Sequence, residues 1–465
     1  MQLKNYFIFN SQKALKLFFF PIFALQALIF LIIALWSTKL RPISDDYCFA
    51  SAAGEGVFPA LQEYFLNWSG DMVSIFYSLL FIGWPIVNLP WSMGSSITFI
   101  LGGMIVGCIS LLILFESCDI LSKKNIKVAS FFVIFFSNIW WASWWLTTSL
   151  GIENDSLNFL AHSITFWQNI NTAYVMTTSL SVLCLFSLLH IQNRSLPLIA
   201  FILGLATGFS GIVLGTSFFI LSMFLTITLL FLRNKRNQLE HYGYAIFALG
   251  ALVGVIISYL SPGTQNRKEI DGSEFTFTEL ISLEEIIRII SYAFVEFLSS
   301  LLNLNNLLIF ISFFIYFVLF GSLFKKLNVA LVKFRIIQIS LLVIVFSIAN
   351  KSAELFNYPA IWHTIPLYLF NYFIILYLAI YLSSSIIEKG ILNFYKSILF
   401  TTVISQLIVI FSISFMLNSI DERLLAWNKG SAPIAGIGDL FEDPDHWINK
   451  CWVDIGKFRD LPDRQ

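Results

Sequence analysis

The chain has 465 residues, 57% hydrophobic and only 12% charged, against about 25% charged in soluble domains. Lys plus Arg and Asp plus Glu each number 28, so the net charge is zero and nucleic acid is not an expected partner. With 49 Phe and so few charges, an ordinary soluble enzyme is excluded and an all-α polytopic membrane protein is expected.

A spanning helix needs about 20 mostly apolar residues, and on that measure the sequence predicts about eleven spans. They fall at roughly 17–36, 93–117, 128–147, 172–190, 195–209, 212–232, 243–260, 303–323, 336–350, 364–386 and 397–417. The first run is too long for a signal h-region and has no small-residue cleavage site after it, so it reads as a retained span. The first outer loop, 37–92, follows. Its 56–82 part mixes Phe, Leu, Tyr and Trp with scattered polar residues, which predicts short helices lying at the membrane surface. The apolar stretch 73–90 contains Pro85 and Pro90 and follows Asp71, so it reads as interfacial or re-entrant. Were it a span, every later basic loop would change sides. The basic loops hold Lys123, Lys124, Lys127, Arg233, Lys235, Arg236, Lys325, Lys326, Lys333 and Arg335, and the positive-inside rule puts them and the N-terminus in the cytoplasm. Residues 1–417 then form one transmembrane domain, and 418–465 a small hydrophilic tail on the outer side.

The other outer loops carry most of the acids. The second, about 148–171, includes "GIENDSLNF"; the third is a tip around 210; the fourth, 261–302, opens with "SPGTQNRKEIDG"; the fifth, 351–363, reads "KSAELFNYPAIWH". The Trp cluster at 140–145 reads as an interfacial belt. Cys48 and Cys451 are the two outer cysteines. They read as unrelated thiols in preference to a bridge between the first outer loop and the tail, because their separation is not legible in the sequence.

The polar residues that could carry chemistry therefore sit on the outer side. In "ISDDY", Asp45 and Asp46 follow the first span directly. Adjacent carboxylates repel and nearby lipid lowers the dielectric, so one of them should hold its proton more tightly and suit a general base. The alternatives are an N-cap on an interfacial helix or ligation of Mg²⁺ or Mn²⁺. No further carboxylates stand at ligand spacing, so no cofactor is assigned. In "SPGTQNR", Pro and Gly are expected to end the preceding helix in a turn, presenting Asn266 and Arg267 at the interface, where Arg offers a donor fork for phosphate or merely snorkels. In "NYPAIWHTIP", His363 and Trp362 stand at the mouth of a span, with Lys351 nearby; phosphate or sugar contact competes with simple anchoring. Tyr47 and Trp68 offer faces on which a sugar could stack. There is no nucleotide fingerprint and no cytoplasmic domain to bind an activated nucleotide, which leaves a substrate already in the membrane.

These motifs resemble the GT-C superfamily of multi-span glycosyltransferases. "ISDDY" after the first span is similar to its acidic motif. "SPGTQNR" looks like the PGN-x-x-R segment, and the tail's "DPDHWINKCW" like the W-x-N segment, of a bacterial branch that includes serotype-converting O-antigen glucosyltransferases. Here Thr264 and a displaced Asn266 replace the family's PGN step, and Trp362 and His363 stand where an Arg is expected. The resemblance implies a GT-C-like fold in the bacterial inner membrane with a periplasmic tail. It implies transfer of a sugar, glucose first, from undecaprenyl-phosphate-sugar to a lipid-linked glycan such as the O-antigen of lipopolysaccharide. Asp46 would be the base and Asp45 its orienting partner. Arg267, His363 and Lys351 would hold the donor phosphate, and Tyr47, Trp68, Asn266 and Trp362 would contact substrate. A transporter or flippase of lipid-linked glycans is the rival class, favoured by charges buried within spans; a non-catalytic anchor is the third.

Overall fold

The computed structural model describes residues 22–35, 37, 45–120, 126–149, 171–188, 196–231, 238–271, 283–319, 324–354 and 365–388. Among them the chain is helical apart from one two-stranded ladder. The order is α1 (Ile22–Leu35), α2 (Asp45–Gly54), α3 (Val57–Asn67), α4 (Met72–Asn88), α5 (Trp91–Ser117), β1 (Cys118–Ile120) and α6 (Ile126–Ser149). A π-helical turn, Asn171–Met176, leads into α7 (Thr177–Ser187), followed by α8 (Leu196–Gly208), α9 (Ile212–Phe231), α10 (Gln238–Leu260) and α11 (Pro262–Asp271). The remaining elements are α12 (Leu283–Leu301), α13 (Leu304–Leu319), β2 (Phe324–Leu327), α14 (Val329–Glu354) and α15 (Ile365–Glu388). The predicted span 397–417, the 418–465 tail and Cys451 lie outside the described residues.

Four helices are long and apolar enough to cross a membrane, over Ser96–Ser117, Tyr242–Leu260, Val329–Ser352 and Ile365–Ser383. Shorter apolar helices accompany them, among them α1, α4, α8 and α9. The bundle centres on α15, whose Ile365, Phe370, Tyr372, Phe373 and Tyr377 are all buried. α13 and α14 flank it.

The bundle has two distinct ends. At one, β1 pairs antiparallel with β2 and the Asn328 amide donates to the Ser117 carbonyl at 2.9 Å. This ladder end closes α5 and opens α14. At the opposite end, the rim, the Val73 amide donates to Phe209 O at 3.1 Å, and Gly94 in the first turn of α5 lies against Pro85. Both ends of α4 therefore meet the rim, and α4 runs across the bundle instead of through it. That is the placement expected for 73–90.

α8 and α10 approach closely because neither carries side chains in the way. A Cβ added at Gly204, Gly208, Gly250 or Gly254 would meet a backbone oxygen of the opposite helix at 2.1, 2.3, 2.3 and 2.6 Å respectively. Small residues spaced four apart permit such backbone contact where helices meet in lipid.

Two expectations are corrected. Trp140, Trp141 and Trp144 form no interfacial belt; all three are buried. Trp141 stacks on Phe99 with ring centroids 3.8 Å apart, above Gly103, where no Cβ would fit. Arg335 is not a loop residue. It is 0% exposed, one and a half turns into α14, because Glu116 at the end of α5 neutralises it within the bundle.

Candidate functional site

The first-loop carboxylates begin α2. Asp45 is its first residue and Asp46, the second, is 0% exposed. The side chains of Asp45 and Tyr47 lie outside the described residues. α2 is held by the middle of α4, where Leu79–Gly83 forms a π-helical turn. There Gly83 admits the α2 backbone: a Cβ on it would lie 2.2 Å from Phe49 O and 2.7 Å from the Ala53 Cβ. Phe49, Ala53, Ala60, Ile75 and Leu79 make a small apolar core under this crossing. π turns insert one extra residue into a helix and recur at functional sites. A second one, Asn171–Met176, packs beside α4, and its Thr172 hydroxyl meets that of Ser78 at 3.0 Å.

The segment "SPGTQNR" is not a turn. Pro262 is the first residue of α11. Ser261 caps that helix, accepting at Oγ from the Thr264 amide at 3.2 Å while its carbonyl accepts from the Gln265 amide. Ser at the N-cap followed by Pro at the first helical position is a favourable start, since Pro lacks an amide the helix could not have used.

α11 then docks on the segment between α3 and α4. Thr264 Oγ1 accepts from the Gly70 amide at 3.0 Å and donates to Ser258 O at 2.8 Å. Ser258 Oγ donates back to Gly70 O at 2.8 Å. A Cβ on Gly70 would lie 2.2 Å from Ser258 O, and one on Gly263 would lie 2.5 Å from the Trp68 amide nitrogen. The first, third and fourth connecting segments thus converge at the rim.

The structure brings some predicted site residues together and not others. Trp68, 43% exposed, and Asn266 share the α3–α11 junction, where Asn266 Nδ2 donates to Leu66 O at 3.4 Å. Arg267 follows on α11, but its side chain lies outside the described residues. Lys351 is half-buried in the last turn of α14 at the rim end. Trp362 and His363 lie outside the described residues. Among the described residues no three His, Cys, Asp or Glu side chains cluster as metal ligands. Cys48 is disulfide-bonded, correcting the preference for a free thiol there, while Cys108 and Cys184 are free.

A second polar station sits at the opposite end of the bundle. Arg335 Nε donates to Glu116 Oε1 at 3.1 Å, and Nη2 reaches the same oxygen. Its Nη1 donates to Gln338 at 2.7 Å and Nη2 to Phe186 O at 3.2 Å. Tyr377 donates to Glu116 Oε2 at 3.3 Å, and the guanidinium lies 4.1 Å from the Phe186 ring centroid. The pair ties α5, α7, α14 and α15 together.

Residues at the rim that the sequence did not single out are Glu296, Tyr368 and Asn371, on facing sides of α12 and α15. Comparison with known protein families, curated proteins and solved structures returns no match.

Proposed function

We propose that this chain is a GT-C-like membrane glycosyltransferase of about eleven spans, acting at the periplasmic face of a bacterial inner membrane. It transfers a sugar, glucose first, from undecaprenyl-phosphate-sugar to a hydroxyl of a surface glycan such as lipid-linked O-antigen. The observation that carries the reading is the docking of α11, which bears Arg267, onto the first outer loop, whose opening helix buries Asp46.

In the proposed reaction Asp46 accepts the proton of the acceptor hydroxyl, and that oxygen attacks the anomeric carbon. The bond from that carbon to the phosphate oxygen breaks, and undecaprenyl phosphate leaves with the electron pair. Asp45 orients the base. Arg267, with His363 and Lys351, stabilises the leaving phosphate, and such donors are commonly worth about 3–4 kcal/mol each. Tyr47, Trp68, Asn266 and Trp362 hold the substrates. A single base and a phosphate leaving group suit one displacement with inversion.

The test is Asp46→Asn in cells, with surface-glycan composition as readout. Transfer is expected to fall about 10²–10⁴-fold; unaltered glycan with normal protein abundance would refute the assignment. The alternative, a transporter or flippase of lipid-linked glycans, draws support from the buried Glu116–Arg335 pair. It predicts that Glu116→Gln abolishes glycan translocation in vesicles whereas Asp46→Asn leaves it unchanged.

A further inference from the structure

The chain holds five cysteines, and their states differ. Cys48 is disulfide-bonded, whereas Cys108 and Cys184 are free. Cys118 and Cys451 remain as candidates for the other half of the bond. Distance excludes Cys118. Cys48 lies in the first turn of α2, two residues after Asp46, and is buried. Its neighbour Phe49 lies against Gly83 of α4, and Pro85 of the same helix lies against Gly94 in the first turn of α5. Cys48 therefore belongs to the rim. Cys118 follows the last residue of α5, and its backbone pairs with Leu327 at the ladder end. A helix rises 1.5 Å per residue, which puts Cys118 roughly 36 Å from Gly94. Bonded cysteines need Cα atoms within about 7 Å of each other.

The path of the chain agrees with the other candidate. α14 starts at the ladder end, beside Ser117, and ends at the rim. α15 returns. Near its start Tyr368 meets Trp144 edge-on with ring centroids 5.4 Å apart. Further along, Tyr377 donates to Glu116 Oε2 at 3.3 Å, and Lys333 Nζ lies 5.7 Å from the Tyr381 ring centroid. Glu116 closes α5 and Lys333 opens α14, so both belong to the ladder end. Glu388 therefore leaves the bundle at that end. One more crossing is needed to regain the rim, and the apolar run 397–417 has the length that a crossing takes. Cys451 follows it, on the side that holds Cys48.

We infer that Cys48 is bonded to Cys451, so that the hydrophilic C-terminal segment is stapled to the start of α2 beside Asp46. The bond places the rim on the oxidising side of the membrane, because structural disulfides persist there and are rare in a reducing cytosol. It also limits the reach of the tail. At no more than about 3.6 Å per residue, every residue of 443–452 stays within about 30 Å of Cys48. A segment carrying Asp445, His446, Trp447 and Asn449 is thereby held over the end of the bundle where α3, α4 and α11 converge. The pairing stands apart from the transferase reading, since it follows from the bonded state of Cys48 and the path of the helices alone.

The test treats cells making the full-length protein with N-ethylmaleimide, denatures the purified protein in more of the same reagent without reductant, digests it and maps the cysteines by mass spectrometry. The expected product is a peptide containing Cys48 joined to one containing Cys451, with Cys108, Cys118 and Cys184 all carrying maleimide. Reduction should separate the joined pair. Cys118→Ser should leave the joined peptide at its wild-type yield. Cys451→Ser should abolish it and turn Cys48 into a maleimide adduct, with Cys118 labelled as before. Because the readout is chemical and taken after denaturation, it does not depend on how well either variant folds. Maleimide on Cys48 in the wild type, a Cys48–Cys118 peptide, or a joined peptide that is lost in Cys118→Ser would overturn the staple.

Discussion

Thr264 offers a quantitative test of the contact between α11 and the segment joining α3 to α4. Its hydroxyl accepts from the Gly70 amide at 3.0 Å, donates to Ser258 O at 2.8 Å and lies 2.9 Å from Ser261 Oγ. Thr264→Val keeps the shape and removes all three contacts. It also leaves the Gly70 amide facing a methyl group in a site too tight for water, since any atom added at Gly70 collides with Ser258. A net hydrogen bond is worth about 1 kcal/mol, and an orphaned donor costs about 1–3 kcal/mol. The expected loss in local docking is therefore about 2–4 kcal/mol, or about 30- to 1,000-fold in the opening equilibrium. Hydrogen exchange of the Gly70 amide reads that equilibrium directly. In purified Thr264→Val the amide should exchange faster by that factor while α15 amides keep their protection, and Thr264→Ser should behave as wild type. Unchanged Gly70 exchange in Thr264→Val, or equal damage from Thr264→Ser, would refute the clamp.

Gly254→Leu forces a side chain onto Leu205 O, where a Cβ alone would sit at 2.6 Å; overpacking of about 1–3 kcal/mol or more should lower the melting temperature in detergent. Glu116→Gln should destabilise by about 3–5 kcal/mol by leaving Arg335 buried without its counter-charge, measured by thermal unfolding. Glu116→Leu combined with Arg335→Met should recover most of that loss, and a double variant as unstable as Glu116→Gln would show the pair to be more than a lock.

The apolar runs were legible in the sequence because lipid demands them, and α5, α10, α14 and α15 lie where those runs predict. The positive-inside argument also kept α4 from being counted as a span. α11 was misread because Pro262 comes two residues after an apolar run, where proline looks like a terminator. Ser261 immediately ahead of it, an N-cap residue with Pro at the first helical position, was the available sign of a new helix. The spacings Gly204-x-x-x-Gly208 and Gly250-x-x-x-Gly254 were equally visible, and they mark the close backbone contact between α8 and α10. The roles of Trp140 and Trp144 were not readable. Tryptophan is as much at home in a headgroup layer as in a core, and only the position of α15 decides between them. Glu116 and Arg335 stand 219 residues apart, and no local pattern pairs them. The same holds for the site: "ISDDY" and "SPGTQNR" were visible as motifs, but the contact of Thr264 with Gly70 joins residues 194 apart, and no local pattern pairs them.

The two polar stations differ in a way that bears on function. At the ladder end the Arg335 donors are spent on Glu116, Gln338 and Phe186 O, and Tyr377 adds to the carboxylate. A buried pair that engages four of the five guanidinium N–H groups fixes four helices and has little left to offer a cargo, which weakens the transport reading that its mere presence would favour. At the rim the polar groups are spread over separate connecting segments, the π turn Asn171–Met176 and an amide oxygen without a partner. A rigid, satisfied end and a polar, segmented end suit a protein that works from one face. Glycan transfer that continued in a variant with the α3–α11 clamp opened would break that link between the architecture and the proposed chemistry.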